Sequence, residues 1–285
     1  MIVARDRRTL RAALAPERRA RRTIGLVPTM GALHEGHLSL LRAARERTDV
    51  VVVSLFVNPA QFGPDEDLEA YPRDEGRDLE LARRERVDLV YAPSVAEVYP
   101  PGFATRIEVG GGLADVLEGD PAQRGPGHFR GVATIVAKLL NSVQPDVAFF
   151  GQKDAQQAVV LKRMVRDLDF PVEIEALPTV RDGDGLAISS RNAYLAPAER
   201  RKATSLSRAL AAAERAAAPG ADTDLALAAA RAELARAGIR PDYLEARDAE
   251  TLAPAPSFNG RPVLVAIAAR IGRARLIDNT VIHTG

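Results

Sequence analysis

Short apolar runs alternate with longer amphipathic segments between residues 24 and 177 of the chain. Ile24–Val27, Val50–Val57 and Val87–Ala92 are predicted strands, and the second is a nearly continuous apolar run of the kind that parallel sheets bury on both faces. Asp146–Phe150 and Val172–Leu177 are further strands, and segments with helical periodicity separate the five. The pattern predicts an α/β fold built on a parallel sheet.

Three segments have less regular patterns. Thr105–Val109 predicts one more strand, followed by a glycine turn. Gly125–Gly131 surrounds a histidine and an arginine with glycines, which favours either a mobile loop that closes over a negatively charged ligand or a plain linker, before a helix from Val132. Arg5–Arg22 is arginine-rich, but acidic residues interrupt its charge, so it predicts a solvated amphipathic helix rather than a nucleic-acid-binding arm.

The composition shifts past Leu195 towards alanine-rich segments. We predict helices over residues 197–217 and 223–237, and short strands near residues 242–246, 263–268 and 275–279. The change of pattern indicates a smaller α+β domain after the parallel sheet. We place the boundary near residue 185, so that the domains are residues 1–185 and 186–285.

The overall composition narrows the classes of function. The 285 residues carry a net charge of +1, which gives no support for a general nucleic-acid or membrane surface. There is no cysteine, so disulfides and thiol catalysis are excluded. No apolar run reaches the length of a membrane span, and the first residues lack the apolar core of a signal peptide. We therefore expect a cytoplasmic protein that binds neither nucleic acid nor membranes.

His34 and His37 follow the first predicted strand at the start of a predicted helix. Residues three apart share one face of a helix, so both imidazoles can point towards one ligand, beside the unpaired N–H groups of the first turn. Such a corner binds anions, and an imidazole N–H donates to phosphate oxygens. Gly31 permits a tight turn, and Gly36 lets a flat ligand approach the backbone. The pattern favours a nucleotide site over a helix cap or a histidine metal pair.

Other candidate groups also follow predicted strands, where α/β sheets bind ligands. Gln61 can donate and accept hydrogen bonds, which suits a hydroxy-acid substrate. Lys153 is one of only four lysines in the chain, and its ammonium can supply a positive charge that binds a phosphate. Gln157 lies one turn further along the predicted helix. Ser189–Arg191 offers two hydroxyls and a guanidinium, which suit a triphosphate. Taken alone, the Gln61 segment also fits an ordinary loop, and Lys153 fits a surface ion pair with its neighbour Asp154. A hydrolase nucleophile at Ser189 or Ser190 is less favoured, because the segment has no G-x-S-x-G elbow.

Five separated motifs occur in order along the chain. They are PTMGALHEGH, FVNPAQFG, PGHFRGV, GQKDAQQ and ISSRN. The same motifs in the same order are typical of the pantoate-beta-alanine ligase (pantothenate synthetase) family. The chain resembles this family from Ile24 to Leu195. The resemblance implies a Rossmann-like nucleotidyltransferase domain of the H-x-G-H superfamily, a C-terminal lid domain and a homodimer.

The resemblance also implies the reaction and its residues. The reaction joins (R)-pantoate to β-alanine, with ATP and Mg²⁺, to give pantothenate, AMP and pyrophosphate through a pantoyl adenylate. The implied catalytic residues are His37 as proton donor, His34, Lys153, Ser189, Ser190 and Arg191. The implied substrate-binding residues are Gln61 and Gln157. The implied ATP site consists of Met30, Gly31, Ala32, Leu33, His34, Glu35, Gly36, His37, Gly151, Gln152, Lys153, Asp154, Val180, Ile188, Ser189, Ser190 and Arg191.

One departure from the family pattern and two alternative functions bear on the site. Gly125 stands where an arginine commonly precedes Pro-Gly-His, and Arg124 lies one place earlier, so the arginine of segment 124–130 that contacts substrate is left open. Another H-x-G-H nucleotidyltransferase would not need Gln61 and Gln157. A nucleotide-binding module without catalysis would not need both histidines together with Lys153 and the pair Ser189 and Ser190.

Overall fold

The computed structural model describes residues 1–63 and 68–284. Within these residues one sheet contains six strands that are all parallel to their neighbours. They are β1 (Ile2–Ala4), β2 (Ile24–Thr29), β3 (Val50–Leu55), β4 (Leu89–Tyr91), β5 (Val147–Gly151) and β6 (Glu173–Leu177). Their order across the sheet is β1-β4-β3-β2-β5-β6. The predicted α/β fold is confirmed, and only the short edge strand β1 was not predicted.

Helices cover both faces of this sheet. They are α1 (Arg7–Arg19), α2 (Glu35–Arg47), α3 (Glu75–Arg84), α4 (Val95–Val98), α5 (Pro126–Val143) and α6 (Ala155–Asp167). In β3, Val50 and Val52 pack against α1, α5 and α6, whereas Val51 and Val53 pack with α2 and α3. Successive side chains of a strand point to opposite faces, so burial on both sides requires the continuous apolar run seen in the sequence.

The predicted loop before Val132 is wrong, because α5 begins at Pro126. Proline is well suited to the first position of a helix, where its missing N–H costs nothing. Phe129 and Val132 are each 2% exposed, and His128 is 7% exposed. Val132 packs in the core of the parallel sheet, and Phe129 packs in a separate cluster with Leu117 and Val160. Burial of these side chains stabilises the segment as the first turns of the helix.

The predicted strand at Thr105–Val109 is also wrong, since this segment joins neither sheet. Its backbone N–H at Ile107 donates to the hydroxyl of Thr134 on α5, at 2.9 Å. Ile107 and Val109 pack on the main core. A side-chain acceptor therefore replaces the neighbouring strand that the alternating pattern implied.

The remaining chain forms an α+β unit, as the sequence predicts. It contains α7 (Pro197–Ala203), α8 (Ser205–Ala216), α9 (Thr223–Arg236), β7 (Pro241–Asp248), β8 (Val263–Ile271) and β9 (Ala274–Ile282). The three strands form an antiparallel sheet in the order β7-β8-β9. The predicted helix over residues 197–217 is two helices that meet at Thr204. Leu186 packs in the core of this unit, while the domain boundary at residue 185 stays a prediction.

The strand order creates a cleft between β2 and β5. The chain adds β3 and β4 on one side of β2, and later adds β5 and β6 on the other side. Connections leave β2 and β5 in opposite directions, and α/β sheets bind ligands at such a switch point, beyond the carboxyl ends of the strands. None of the described helices is long and apolar enough to cross a membrane.

Candidate active site

His34 and His37 lie at the carboxyl end of β2. The chain turns through Gly31 (φ 82°) and Ala32 (φ 50°) before His34 becomes the N-cap of α2. His37 is the third residue of the helix. The strand, tight turn and helix follow the order that the sequence predicts.

The two imidazoles are held against each other. Their ring centroids are 4.0 Å apart, and the ring planes are inclined by 20°. The backbone N–H of His34 donates to Nδ1 of His37 at 3.4 Å. Since Nδ1 accepts, the proton of a neutral His37 ring lies on Nε2.

Both rings are neutral near pH 7. The pKa of His34 falls to about 4, and the pKa of His37 falls to about 3. Loss of hydration is the largest cause in both cases, and the charge of Lys153 lowers both values further. Each ring therefore offers one N–H donor without carrying a charge.

A buried carboxylate holds the turn that precedes the histidines. Asp78, on α3, is 3% exposed, and its two oxygens accept the backbone N–H groups of Ala32 at 2.9 Å and Leu33 at 2.7 Å. Burial raises the pKa of Asp78, and these two hydrogen bonds oppose the rise. A buried charge needs such donors, so Asp78 and the turn stabilise each other. Asp78 was not predicted from the sequence, because it lies 45 residues further along the chain than Leu33.

Gln61 approaches the histidines from the end of β3. Its Oε1 accepts the side-chain N–H of Asn58 at 3.0 Å, and Asn58 Oδ1 accepts the hydroxyl of Tyr99 at 2.7 Å. Its Nε2 lies 3.2 Å from Sδ of Met30. Asn58 is 1% exposed, so this chain of contacts orients the amide of Gln61 from a rigid base. Neither Asn58 nor Tyr99 was singled out from the sequence.

The turn that carries Gln61 packs directly on the backbone of α5 at Gly131. A Cβ at this position would lie 2.2 Å from the carbonyl oxygen of Ala60 and 2.7 Å from Cα of Gln61. The carbonyl of Gly131 also accepts the side-chain N–H of Asn58, at 3.2 Å. Only glycine permits this approach.

His128 and Arg124 lie on the same side of the site. Nδ1 of His128 is 2.9 Å from the carbonyl oxygen of Gln61, and Nε2 is 3.1 Å from a guanidinium nitrogen of Arg124. A carbonyl only accepts and a guanidinium only donates, so His128 is neutral with its proton on Nδ1. Arg124 lines the site, whereas Arg130 pairs with Glu108 at 3.2 Å.

Lys153 and Gln157 lie at the carboxyl end of β5. Lys153 is the middle residue of the single 3₁₀ turn Gln152–Asp154, which connects β5 to α6. Its side chain is 20% exposed, and Nζ lies 3.7 Å from a carboxylate oxygen of Asp154. Gln157 is in the first turn of α6 and lines the same site.

The segment that contains Val180 and Ser189–Arg191 lines the same site. The N–H of Ile188 donates to the carbonyl of Val180 at 3.0 Å, which holds the segment as a short hairpin. Oγ of Ser189 accepts the backbone N–H of Arg191 at 3.3 Å and caps a 3₁₀ helix that begins at Ser190.

These segments enclose a cavity of about 230 Å³ at the carboxyl ends of β2 and β5. A second cavity, of about 540 Å³, extends to β9 and shares five lining residues with the first: Arg124, Lys153, Asp154, Ser189 and Arg191. Most of the predicted residues line the smaller cavity. They are Met30, His34, Gly36, His37, Gln61, Gly151, Lys153, Asp154, Gln157, Val180, Ile188, Ser189, Ser190 and Arg191.

The other five predicted residues, which are all described, line neither of these two cavities. They are Gly31, Ala32, Leu33, Glu35 and Gln152. The backbone of Ala32 and Leu33 faces Asp78. Glu35 forms an exposed ion pair with Arg42, and the side chain of Gln152 faces β9. Their predicted contact with ATP stays a prediction.

The donor set at the site fits a Mg²⁺ ion that ATP carries. Among the described residues, no three histidine, cysteine or acidic side chains converge on one point to hold a metal. Asp154 contributes a carboxylate to both cavities. Mg²⁺ commonly uses one or two carboxylates together with the phosphates of its substrate and several waters.

Known proteins resemble this chain over nearly its whole length. A pantothenate synthetase of Moorella thermoacetica is 55% identical over 272 residues, which are 92% of this chain and 91% of the relative. The crystal structure of pantothenate synthetase from Thermus thermophilus has a TM-score of 0.91 at 49% identity, and the match covers 98% of this chain and 99% of that one.

A second solved structure was determined with ligands. It is pantoate-beta-alanine ligase from Francisella tularensis, complexed with beta-gamma ATP and β-alanine. Its TM-score is 0.82 at 33% identity, and the match covers 100% of this chain and 99% of that one. The family model described as pantoate-beta-alanine ligase matches residues 2–281. The chain therefore belongs to the pantoate-beta-alanine ligase family, as its five motifs predict.

Proposed function

We propose that this chain is a ligase that joins (R)-pantoate to β-alanine and converts ATP to AMP and pyrophosphate, through a pantoyl adenylate. One observation carries the proposal: the histidine corner, Lys153, Ser189–Arg191 and Gln61 converge on a single cavity at the switch point of the sheet. The complex of the F. tularensis relative with beta-gamma ATP and β-alanine supports the same substrates here.

We assign the phosphates of ATP to the corner formed by His34, His37 and Lys153. Neutral imidazoles donate N–H groups to phosphate oxygens, and Lys153 supplies a positive charge. Arg191 and the hydroxyls of Ser189 and Ser190 face the same cavity from the opposite wall and suit the remaining phosphate oxygens. The partial positive charge at the start of α2 favours an anion in the same place.

We assign pantoate to the side of the cavity that contains Gln61 and Gln157. Their amides can donate to the pantoate carboxylate and accept from its hydroxyls. Val132, Val136 and Leu139 of α5 line the cavity too, and they match the two methyl groups of pantoate. Arg124 lines the cavity beside Gln61, so we assign Arg124, rather than Arg130, to a substrate carboxylate.

In the first step, a carboxylate oxygen of pantoate attacks the α-phosphorus of ATP. The new O–P bond forms as the bond to the bridging oxygen of the β-phosphate breaks, and pyrophosphate leaves with that oxygen. Negative charge builds on the phosphoryl oxygens, so the preorganised donors of His34, His37 and Lys153 stabilise the transition state. The attacking carboxylate is already anionic, and no protein nucleophile is needed.

In the second step, the neutral amine of β-alanine attacks the acyl carbon of the adenylate. The C–N bond forms as the C–O bond to AMP breaks, and AMP leaves with that oxygen and the bonding electron pair. The proton that the nitrogen loses passes to the released phosphate or to water. His37 enters the reaction as a hydrogen-bond donor from Nε2, since its pKa of about 3 keeps it neutral before ATP binds. Nearby phosphates raise the pKa of a histidine, which is the direction that the family role of proton donor requires.

Mg²⁺ would neutralise charge on the phosphates when it is bound, and Asp154, which lines both cavities, would help to hold it. We also propose that residues 1–185 bind ATP and pantoate, and that residues 186–285 form a lid that keeps water from the adenylate. The homodimer is carried over from the family resemblance, and the cytoplasmic location from the composition of the sequence, both as predictions.

Product analysis tests this function. The purified protein is incubated with ATP and Mg²⁺, and pantoate and β-alanine are omitted in turn. We expect AMP and pyrophosphate to accumulate in equal amounts only when both substrates are present, together with pantothenate detected by mass spectrometry. ADP as the product, or turnover without pantoate, would instead indicate another nucleotide-dependent enzyme.

A further inference from the structure

The C-terminal sheet contacts the turn of Lys153 through one buried amide. Asn279, on β9, is 6% exposed. Its Nδ2 donates to the carbonyl oxygen of Gln152 at 3.0 Å and to the carbonyl oxygen of Lys153 at 2.8 Å. Its Oδ1 lies 3.4 Å from Nε2 of Gln152. Both donors and the acceptor of this side chain are therefore directed at the turn that carries Lys153.

The backbone of Lys153 lies in a short turn, outside the strand and the α-helix that flank it. The turn is a single 3₁₀ unit of three residues between β5 and α6. A carbonyl in such a turn has no strand partner, so a side-chain donor both satisfies the oxygen and fixes its direction. The ammonium of Lys153 then projects from a fixed backbone into the cavity that contains His34 and His37.

Asp278 precedes Asn279 on β9 and links this strand to the hairpin that leads to Ser189. Its carboxylate is 3% exposed and forms a bidentate ion pair with Arg181, at 2.6 and 2.9 Å. One of its oxygens also accepts the backbone N–H of Asn279 at 2.8 Å. These contacts hold β9 against the hairpin that leads to Ser189, so Asn279 acts from a rigid base.

We propose that Asn279 is a positioning residue, which fixes the carbonyl of Lys153 so that the lysine ammonium meets the phosphates of ATP. The proposal rests on the proposed function only in assigning those phosphates to Lys153. Asn279 acts through Lys153 and contacts no reacting atom.

The chemistry of the contact requires an amide at position 279. Asparagine presents two N–H donors to two carbonyl oxygens. Asn279→Asp keeps the shape of the side chain but turns an acceptor towards the same two carbonyls, which is repulsive. Asn279→Ala leaves both carbonyls without this donor and introduces no repulsion. The two variants therefore test the same contact in different ways.

The sequence offers a direct probe of this hydrogen bond. Only one of the four lysines, Lys153, is followed by an aspartate. Cell-free protein with ¹³C at the lysine carbonyl and ¹⁵N in aspartate therefore gives a single carbonyl–amide NMR cross-peak, from Lys153 and Asp154. The ¹³C shift of that peak reports the hydrogen bond to the Lys153 carbonyl. Asn141→Asp, the same change at an exposed position of α5, is the matched control.

We expect both Asn279 variants to move the ¹³C shift of Lys153, and Asn141→Asp to leave it in place. We expect kcat for adenylate formation to fall on the order of tenfold to a hundredfold in both Asn279 variants, with the KM for pantoate unchanged, because misplacement of a charge acts on the transition state. A purely structural role would lower the unfolding midpoint without this separation of kcat from KM.

Two results would overturn the proposal. One is an unmoved ¹³C shift in both Asn279 variants, which would show that the hydrogen bond does not hold the turn. The other is a moved ¹³C shift in the Asn279 variants together with a kcat equal to that of the Asn141→Asp control, which would show that the position of the turn does not affect the rate. Failure of the proposed function gives a different result from these two. The wild-type protein itself would then form no pantothenate, while the ¹³C shifts of the Asn279 variants would still report whether the hydrogen bond forms.

Discussion

His37 receives the backbone N–H of His34 on Nδ1, and the two rings stack with their centroids 4.0 Å apart. The first contact fixes the tautomer of His37, and the second fixes the plane of its ring. Nε2 of His37 is therefore a preorganised donor in a cavity that also contains Lys153. Such donors lower a reaction barrier because they need no reorganisation when charge develops.

Removing this donor should lower the rate of the first step. We expect His37→Ala to reduce kcat by about a hundredfold or more, the usual effect of losing one preorganised donor. His283→Ala, at an exposed histidine on the far end of the chain, is the control and should behave as wild type. Steady-state kinetics gives the kcat of both variants. A His37→Ala enzyme with the kcat of the wild type would show that His37 does not stabilise the transition state.

The same histidines should make stability depend on pH. In the folded protein the pKa of His34 is about 4 and that of His37 about 3, against 6.5 for an unperturbed histidine. Between these pKa values and pH 6.5, the unfolded chain binds more protons than the folded protein does. The free energy of unfolding therefore increases as the pH rises over this range, and this stabilisation is lost as the pH falls. Urea unfolding from pH 4 to 7 measures the slope.

A double variant isolates the contribution of these two rings. His34→Asn combined with His37→Asn removes both titrating groups, so the free energy of unfolding should vary less steeply with pH than in the wild type. Equal slopes for the two proteins would mean that the low pKa values of the histidines do not contribute to stability.

Asp78 is predicted to support the site without contacting the substrates. Asp78→Asn keeps one acceptor but turns a donor towards the N–H of Ala32 or Leu33, which costs about 1–3 kcal/mol of unfolding free energy for a buried group left unsatisfied. We expect kcat to fall as well, because the turn before His34 is no longer held. Asp115→Asn, at an exposed position, is the control for the charge change. Unchanged unfolding and kinetics in Asp78→Asn would contradict this role.

Gly131 is predicted to determine the position of Gln61. The Cβ of Gly131→Ala would lie 2.2 Å from the backbone carbonyl oxygen of Ala60, so the turn that carries Gln61 must move. We expect a raised KM for pantoate and a nearly unchanged KM for ATP, the same pattern as in Gln61→Ala. Gly110→Ala adds a Cβ with no atom within 4 Å and serves as the control. A raised KM for ATP alone would assign this region to the nucleotide instead.

The local parts of the fold and site were predictable from the sequence. The continuous apolar run at Val50 predicts a strand buried on two faces, and the strand-turn-helix pattern around His34 predicts the anion-binding corner. Both depend on residues close together in sequence. The start of α5 at Pro126 was within reach too, because proline at the first helical position is a known signal. The neighbouring glycines favoured a loop instead.

The remaining parts depend on contacts between distant residues. Asp78 reaches the turn at Leu33 across 45 residues, and Asn279 reaches Gln152 across 127. An isolated aspartate or asparagine in a sequence carries no sign of its partner, and only the packing of helices and sheets brings the groups together. The segment at Ile107 also depends on distant contacts. Its alternating pattern predicts a strand, but the fold places no neighbouring strand beside it with which to pair.

Formation of pantoyl adenylate from ATP and pantoate can be measured separately from the second step. The assay follows exchange of labelled pyrophosphate into ATP with pantoate present and β-alanine absent. We predict exchange that requires pantoate and that falls by about a hundredfold in His37→Ala. Exchange that is absent, or that proceeds equally well without pantoate, would show that this cavity does not form pantoyl adenylate.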